Sequence, residues 1–349
     1  MKPRITFAIP GDIDTLSGGY LYEKNLLLAL REIGWDVTHL PLPGGFPEPT
    51  AQTIETCAQT LAQLPDDTLV LLDGFLPGAL PPDRLAALDA PFVAITHHPL
   101  GYETGLSAER AAELVTIERK NLSRASHVIV PSPHTAEVLV SDFAVSRAVV
   151  TIAAPGVAKR KVFLSEKAKP AEVLSVGQLV PRKGYDILLS SLAQISDLDW
   201  HATIIGKAPD KGYARELAEM TTSLGIASRV LFAGTLAPER LARDYARATV
   251  FALATRYEGY GMVFAEALQH GLPIVTCDAG AVPQTVPLDA GVLVLPDDAD
   301  AFAGALRRLL TDTSHRNALS AASATHGRNL PSWQDTARIV GDVLSRLAP

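Results

Sequence analysis

Short apolar runs recur along the chain, and most are followed by a stretch whose apolar positions return every three or four residues. In the first half the runs fall at residues 4–9, 36–40, 69–72, 92–96, 127–130 and 149–152. The first ends at Pro10-Gly11 and enters the loop GDIDTLSGGY, which carries Gly18-Gly19 just before a helical pattern over 20–33. Residues 41–49 read as Pro/Gly-rich loop. A helix is expected over 107–124, and Ser132 or Thr135 would cap another in PSPHTAEVL. In the second half the runs fall at 173–176, 202–205, 230–233, 250–254, 274–276 and 292–295. Helical patterns at 213–224 and 238–247 separate them, and helices at 300–310, 312–328 and 332–347 close the chain. Strand–helix alternation of this kind predicts parallel sheets covered by helices on both faces. The expected class is therefore α/β, with two doubly wound Rossmann-like domains facing across a cleft. The domains are expected at 1–158 and 170–330, with 331–349 as a closing helix and the polar, basic KRKVFLSEKAK at 159–169 as linker.

The most informative stretch is EGYGMVFAEALQHGLP, residues 258–273. Val263, Phe264, Ala267 and Leu268 have helical spacing for one buried face, and Gly271 and Pro273 fit a stop signal. On one continuous helix, Glu258 and Glu266 would lie roughly 12 Å apart. That is not an acid/base pair. The spacing makes more sense with Glu258 in the loop before the helix and Glu266 on its second turn. Both then face a ligand across a helix N-terminus whose free N–H groups suit a phosphate. In open α/β sheets, ligands bind over the loops at the carboxyl ends of strands. Gly18-Gly19, His97-His98 and Arg182-Lys183-Gly184 all fall in such loops. The dinucleotide fingerprint G-x-G-x-x-G is absent from the first loop, which leaves a nicotinamide or flavin reading with little support.

Composition narrows the class. With 349 residues, 47% hydrophobic and 20% charged, the chain is ordinary for a globular protein of two domains. No apolar run reaches the roughly 18–20 residues of a membrane span, and no secretory leader is apparent. Cys57 and Cys277 lack metal or redox spacing and read as reduced core residues of a cytosolic protein. A net charge of −7 argues against a general nucleic-acid binder.

The strings VGQLVPRKGYDILL, VLFAGTL, RYEGYGMVFAEALQHGLPIVTCDAGAVPQTV and AGVLVLPDDADAFAGALRRLL resemble, in order and spacing, those of glycosyltransferase family 4. That family comprises retaining, nucleotide-sugar-dependent enzymes of the GT-B fold. The resemblance is strong over residues 173–310 and continues through SGGY, THHP and PSPHTAEVL in the first half. SWQDTARIV resembles the terminal helix that, in this fold, crosses back onto the first domain. The resemblance implies that Glu266 binds ribose hydroxyls and Glu258 faces the donor sugar. It implies that Gly261, Met262 and Val263 offer amides to the diphosphate, which Arg182 and Lys183 neutralise. It places Gly18 and Gly19 against the diphosphate and donor sugar. His98 would face the sugar near the reacting carbon, with His97 the second choice. One departure is Gln178, where many members carry arginine.

The implied function is transfer of a sugar from a nucleotide diphosphate sugar to an acceptor hydroxyl with retention. No carboxylate pair suits covalent double displacement, so front-face attack is the expected route. A sugar-nucleotide epimerase or phosphorylase, or a non-catalytic sugar-nucleotide-binding protein, are the alternatives. No cofactor and no metal are expected, because fixed cations would offset the diphosphate charge. Asp12-Ile13-Asp14, an Asp-x-Asp string, reads as a turn. The expected location is cytoplasmic, with at most peripheral contact at the inner face of a membrane, since no basic amphipathic helix is apparent. The base, sugar, acceptor, linkage and oligomeric state stay open.

Overall fold

The structure, a computed structural model, describes residues 4–158 and 167–347. Residues 159–166 of the expected linker lie outside the described residues. The chain divides into two compact units, Met1–Ala158 with Pro331–Pro349, and Lys159–Leu330.

The first unit runs β1 (Arg4–Pro10), α1 (Gly18–Glu32), β2 (Asp36–Leu42), α2 (Ala51–Leu61), β3 (Leu69–Asp73), α3 (Phe75–Ala79), α4 (Pro82–Leu85), β4 (Phe92–Ile95), α5 (Ala108–Leu122), β5 (His127–Val130), α6 (Pro133–Asp142) and β6 (Val150–Ile152). Its six strands form a sheet of order β2-β1-β3-β4-β5-β6, parallel throughout. Every residue of β3, β4 and β5 is buried, as expected of central strands covered on both faces. Three local readings change. Gly18 and Gly19 belong to the first turn of α1 rather than the loop, because Ser17 caps the helix there and accepts the Tyr20 amide at 3.4 Å. Strand β2 runs through Pro41 to Leu42, which an edge strand tolerates because an amide facing away from the sheet is not needed. Helix α2 was hidden by its Thr and Gln content, although Cys57, Ala58 and Leu61 form its buried stripe.

The second unit runs β7 (Ala171–Val176), α7 (Tyr185–Gln194), β8 (Trp200–Ile205), α8 (Lys211–Ser223), β9 (Val230–Gly234), α9 (Pro238–Arg247), β10 (Val250–Leu253), α10 (Met262–Gln269), β11 (Ile274–Cys277), α11 (Val282–Thr285), β12 (Gly291–Val294), α12 (Ala299–Thr311) and α13 (Thr313–Arg328). Its sheet is also six-stranded and parallel, in the order β12-β11-β10-β7-β8-β9. One core holds it together, with Trp200, Tyr185, Phe251, Phe264 and Phe302 almost fully buried.

The last helix, α14 (Trp333–Leu347), returns to the first unit and packs along α1. The contact is tight. A Cβ on Gly156 would lie 2.2 Å from the Trp333 nitrogen, and the Val157 amide donates to the Pro331 carbonyl at 2.9 Å. Thr336 Oγ1 donates to the Ala154 carbonyl at 2.7 Å. Cys57 and Cys277 are both buried free thiols. Among the described residues, no helix is long and apolar enough to cross a membrane.

Candidate functional site

In the second unit, β10 and β7 are neighbours, while β8 and β9 continue to one side and β11 and β12 to the other. The loops leaving β7 and β10 therefore run to opposite faces of the sheet and open a crevice at its carboxyl edge. Pro181–Lys183 forms a single 3-10 turn after β7 and ends on Gly184 at φ 62°. A Cβ there would sit 1.9 Å from the Ala254 carbonyl oxygen, so only glycine lets this loop lie on the end of β10. The two loops are then tied by backbone. The Arg256 amide donates to the Arg182 carbonyl at 2.8 Å, and Arg182 Nη1 donates to the Tyr257 carbonyl at 2.7 Å. Arg256 grips Asp186 at the start of α7 and Asp297 after β12, each at 2.7 Å.

Glu258 stands in the loop before α10, as the spacing required, and is 5% exposed. Lys183 Nζ donates to its Oε1 at 2.5 Å, Thr255 Oγ1 reaches the same oxygen at 3.0 Å, and Arg182 Nη1 lies 3.6 Å from Oε2. Burial pushes the Glu258 carboxyl up, but Lys183 and Arg182, with hydrogen bonds from Lys183 and Thr255, hold it below its ordinary value. The carboxylate is thus a buried anion whose charge is met by two cations. Arg182, expected only as a phosphate partner, is also a structural tie between the two loops.

Helix α10 begins at Met262 after Gly261 at φ 87°. A Cβ on Gly261 would meet the Phe264 ring at 2.5 Å, which fixes glycine at the helix entrance. The buried face is Phe264, Ala265, Ala267 and Leu268; Val263 is only half-buried. The amides of Met262 and Val263 belong to a first turn that has no intrahelical acceptor for them. Glu266 lies on the second turn, and Tyr245 Oη of α9 donates to its Oε2 at 2.9 Å. Tyr245 stacks on His270 with ring centres 5.1 Å apart, so the donor's orientation is itself fixed. Tyr245 and Thr255 were not read from the sequence.

The first unit brings together a different set. In its sheet, β1 and β3 are neighbours, so the loops entering α1 and α3 diverge at its carboxyl edge. Gly19 lies against His97, since a Cβ on it would sit 3.2 Å from His97 Cδ2. Gly18 has open space where a Cβ would be. His97 Nε2 is 3.4 Å from Glu23 Oε1 of α1. His98 instead pairs with Glu103, Nε2 to Oε2 at 3.2 Å, in the segment after β4. Of the two histidines, His97 is thus the one beside the glycines. Among the described residues, one group of three could hold a metal ion, namely Glu23, Asp73 and His97, whose ligand atoms all lie within 4.8 Å of one another. Asp73 ends the third apolar run ahead of Gly74, a strand-end signal that was available in the sequence. Glu23 carried no such signal. Asp14 of the Asp-x-Asp string pairs with Lys24, and the Asp14 amide donates to Asp12 Oδ1 at 2.9 Å, which is turn geometry.

Residues 158–326 match the family of glycosyl transferases group 1. The chain is 27% identical over 255 residues to the D-inositol 3-phosphate glycosyltransferase of Rhodococcus jostii, covering 68% of this chain and 56% of that protein. It spans about half the length of the curated relatives it matches. Among solved structures, sucrose-phosphate synthase from Thermosynechococcus elongatus superposes with a TM-score of 0.80 at 22% identity, over 99% of both chains. Anabaena Alr3699/HepE in complex with UDP-glucose superposes with a TM-score of 0.76 at 18% identity, over 98% of this chain and 99% of that one. At these identities the superpositions speak for the fold, a two-domain Rossmann-like GT-B architecture.

Proposed function

We propose that this chain, whose residues 158–326 are a glycosyl transferases group 1 domain, is a retaining glycosyltransferase. It moves a sugar from a nucleotide diphosphate sugar to an acceptor hydroxyl, by front-face displacement and without a divalent metal. The observation that carries the reading is the Lys183–Glu258–Arg182 cluster at the β7/β10 crevice, beside the N-terminus of α10. As the glycosidic bond breaks, the leaving diphosphate gains negative charge. A lysine already aligned by Glu258 and a helix start at Gly261 supply fixed positive potential there with no reorganisation at the moment of reaction. Glu266, held by Tyr245, is the hydroxyl acceptor for the ribose, and Glu258 the group facing the sugar. The fold neighbour bound to UDP-glucose supports a nucleotide-sugar donor. The donor-facing group of the first unit is His98 or His97 by resemblance, and of the two it is His97 that lies beside Gly19.

The mechanism is tested by product stereochemistry. With UDP-glucose and GDP-mannose offered in turn, NMR of an early time point should show the donor's anomeric configuration kept in the product; an inverted product ends this reading. The same reaction in excess EDTA should run at full rate. Loss of rate in EDTA, restored by Mg²⁺ or Mn²⁺, would show that Lys183 and Arg182 do not suffice, with Gln178 the first place to look.

A further inference from the structure

Helix α5 carries two fully buried polar side chains, Glu118 and Asn121, that the donor chemistry above does not use. The helix packs on α3 and on the 3-10 turn Leu100–Tyr102, which follows His97-His98-Pro99. The joint is close. A Cβ on Gly78 would lie 2.6 Å from Leu100 Cδ1, and one on Gly101 2.7 Å from the Ala111 carbonyl oxygen. Ala79, Leu100 and Leu114 form an apolar cluster there. Backbone groups sealed at the ends of such short elements need partners, and α5 supplies them. Asn121 Nδ2 donates to the Pro77 and Leu80 carbonyls at the end of α3, each at 2.8 Å. Glu118 Oε2 accepts the Leu100 amide, the first of the turn, at 3.1 Å. The pair of His98 with Glu103 brackets that turn.

One oxygen of each side chain is left over. Glu118 Oε1 and Asn121 Oδ1 are both sealed from solvent with no hydrogen-bond partner. They belong to residues three apart on one helix face, which are neighbours. With Glu118 ionised both atoms are acceptors, and two buried acceptors go unpaired. One proton on Oε1 makes it a donor and resolves both. Asn121 cannot turn over to offer a donor instead, because its amide nitrogen is committed to two carbonyls. Among the described residues, no counter-charge favours the ionised form. Helix α3 has no titratable side chain, Tyr102 of the turn gives its hydroxyl to Asp142, and Arg84 of α4 lies beside Asp83 and Glu55. On α5 itself, Arg119 donates to the Asp142 carbonyl. Burial raises the Glu118 carboxyl to about 8, against the Leu100 amide, which favours the anion.

We propose that Glu118 is a neutral acid that donates from Oε1 to Asn121 Oδ1 while Oε2 holds the Leu100 amide, and that this proton positions the His97-His98 segment. Ionised in place, Glu118 would leave a charge sealed between α3, α5 and the turn. Glu118 is a positioning residue. That the histidines matter to turnover rests on the transferase reading; the proton and the pinned turn do not.

The test uses the full chain and two substitutions. Glu118→Gln keeps an oxygen for the Leu100 amide and an N–H for Asn121 but cannot titrate. Glu118→Met keeps neither bond. At pH 7 the infrared spectrum of the unmodified chain should contain a protonated carboxyl band that Glu118→Gln lacks. An exposed glutamate gives up its proton near 4.5, and this one keeps it to about 8. Opening the turn therefore releases a proton between those values and becomes easier by roughly tenfold per pH unit. Exchange of the Leu100 amide, read by NMR and corrected for its intrinsic rate, should be alike in the unmodified chain and Glu118→Gln at pH 5. At pH 7 it should be faster in the unmodified chain by roughly 100-fold, and Glu118→Met should exchange faster than both at pH 5. Turnover should fall as pH rises through about 8 in the unmodified chain and not in Glu118→Gln. Faster Leu100 exchange in Glu118→Gln than in the unmodified chain at pH 7 would make Glu118 an anion and overturns the proposal. A missing carboxyl band, a ratio of rates that ignores pH, or a folded Glu118→Met chain with Leu100 as protected as in Glu118→Gln also overturns it. Should Glu118→Met not fold, the Glu118→Gln comparison decides alone. If the exchange results hold and no nucleotide sugar is turned over, the transferase reading fails and the pinned turn stands. Turnover with the same alkaline fall in Glu118→Gln removes the positioning role and leaves the transferase reading in place.

Discussion

Each unit carries a buried glutamate at the carboxyl edge of a six-stranded parallel sheet, near the point where neighbouring loops diverge. Desolvation works against the charge of both. Glu258 nevertheless lies below its ordinary value, whereas Glu23 rises to about 7. The difference is the company each keeps. Glu258 has Lys183 at 2.5 Å and Arg182 at 3.6 Å. Glu23 has another buried carboxyl, Asp73, and a neutral histidine. The two units therefore carry chemically opposite carboxyl sites, an anion paired with cations and a buried carboxyl pair that holds its proton to higher pH.

Removing the cation should break the contrast most severely. Lys183→Ala leaves Glu258 buried without its closest partner, which costs about 3–5 kcal/mol of stability for a broken buried pair. It also removes a preorganised charge from the leaving group, so turnover should fall roughly 10²–10³-fold. Urea denaturation and steady-state rates read the two effects separately. The double variant Lys183→Met/Glu258→Gln should recover much of the stability and none of the rate. Recovery of both would show that Lys183 acts only through folding.

The second measurement sharpens the contrast through pH. The unfolded chain releases the Glu23 proton near 4.5, and the folded chain keeps it to about 7. Between those values the folded state binds more protons, so Glu23's contribution to stability declines as pH rises, by up to about 3 kcal/mol. Glu118, raised by burial to about 8 while accepting the Leu100 amide, acts in the same direction. Glu258 acts in the opposite sense, because its stabilisation is lost as pH falls through its depressed value. Denaturation midpoints of the Glu23→Gln variant should therefore fall less between pH 5 and pH 8 than those of the unmodified chain. Parallel curves would show that Glu23 ionises normally.

The smallest effect is expected at Glu266. Glu266→Ala should weaken binding of the nucleotide by roughly tenfold, about 1.4 kcal/mol for a lost hydroxyl contact. Tyr245→Phe, which removes the hydroxyl that orients Glu266 and reaches the Val263 carbonyl but leaves the carboxylate in place, should cost less. Isothermal titration with the bare nucleoside diphosphate measures both. Unchanged affinity in Glu266→Ala, with turnover lost, would move Glu266 off the ribose.

What could be read from the sequence was local. Gly261 before an apolar helix, Glu266 on that helix's second turn and Arg182-Lys183-Gly184 after a strand are short-range patterns. Each sits where strand and helix periodicity place it. The strands themselves were legible because buried parallel strands are continuous apolar runs. Long-range pairing was not. Lys183 and Glu258 are 75 residues apart, and nothing in either segment announces a bond of 2.5 Å. The choice between His97 and His98 was equally hidden, because both lie in a bend beyond the end of β4, where no periodicity tells which of them meets Gly19. The start of α1 differs from the periodicity because the Ser17 cap outweighs the weak helix propensity of two glycines.

The return of α14 to the first unit has a consequence for the order in which the protein can be finished. The second unit is one uninterrupted segment, Lys159–Leu330, and it is synthesised in full before the residues of α14 are added. The first unit is begun earlier but lacks its last helix until Trp333–Leu347 has been made. Until then Tyr22 has no Trp333 against its ring, Gly156 has no tryptophan backbone on its open side, and the flank of α1 that α14 covers stays wet. Tyr22 is also the ring that stands edge-on to His97. The portion of the chain synthesised first is thus completed last, and a nascent chain arrested before residue 331 would hold a whole second unit beside an unfinished first one.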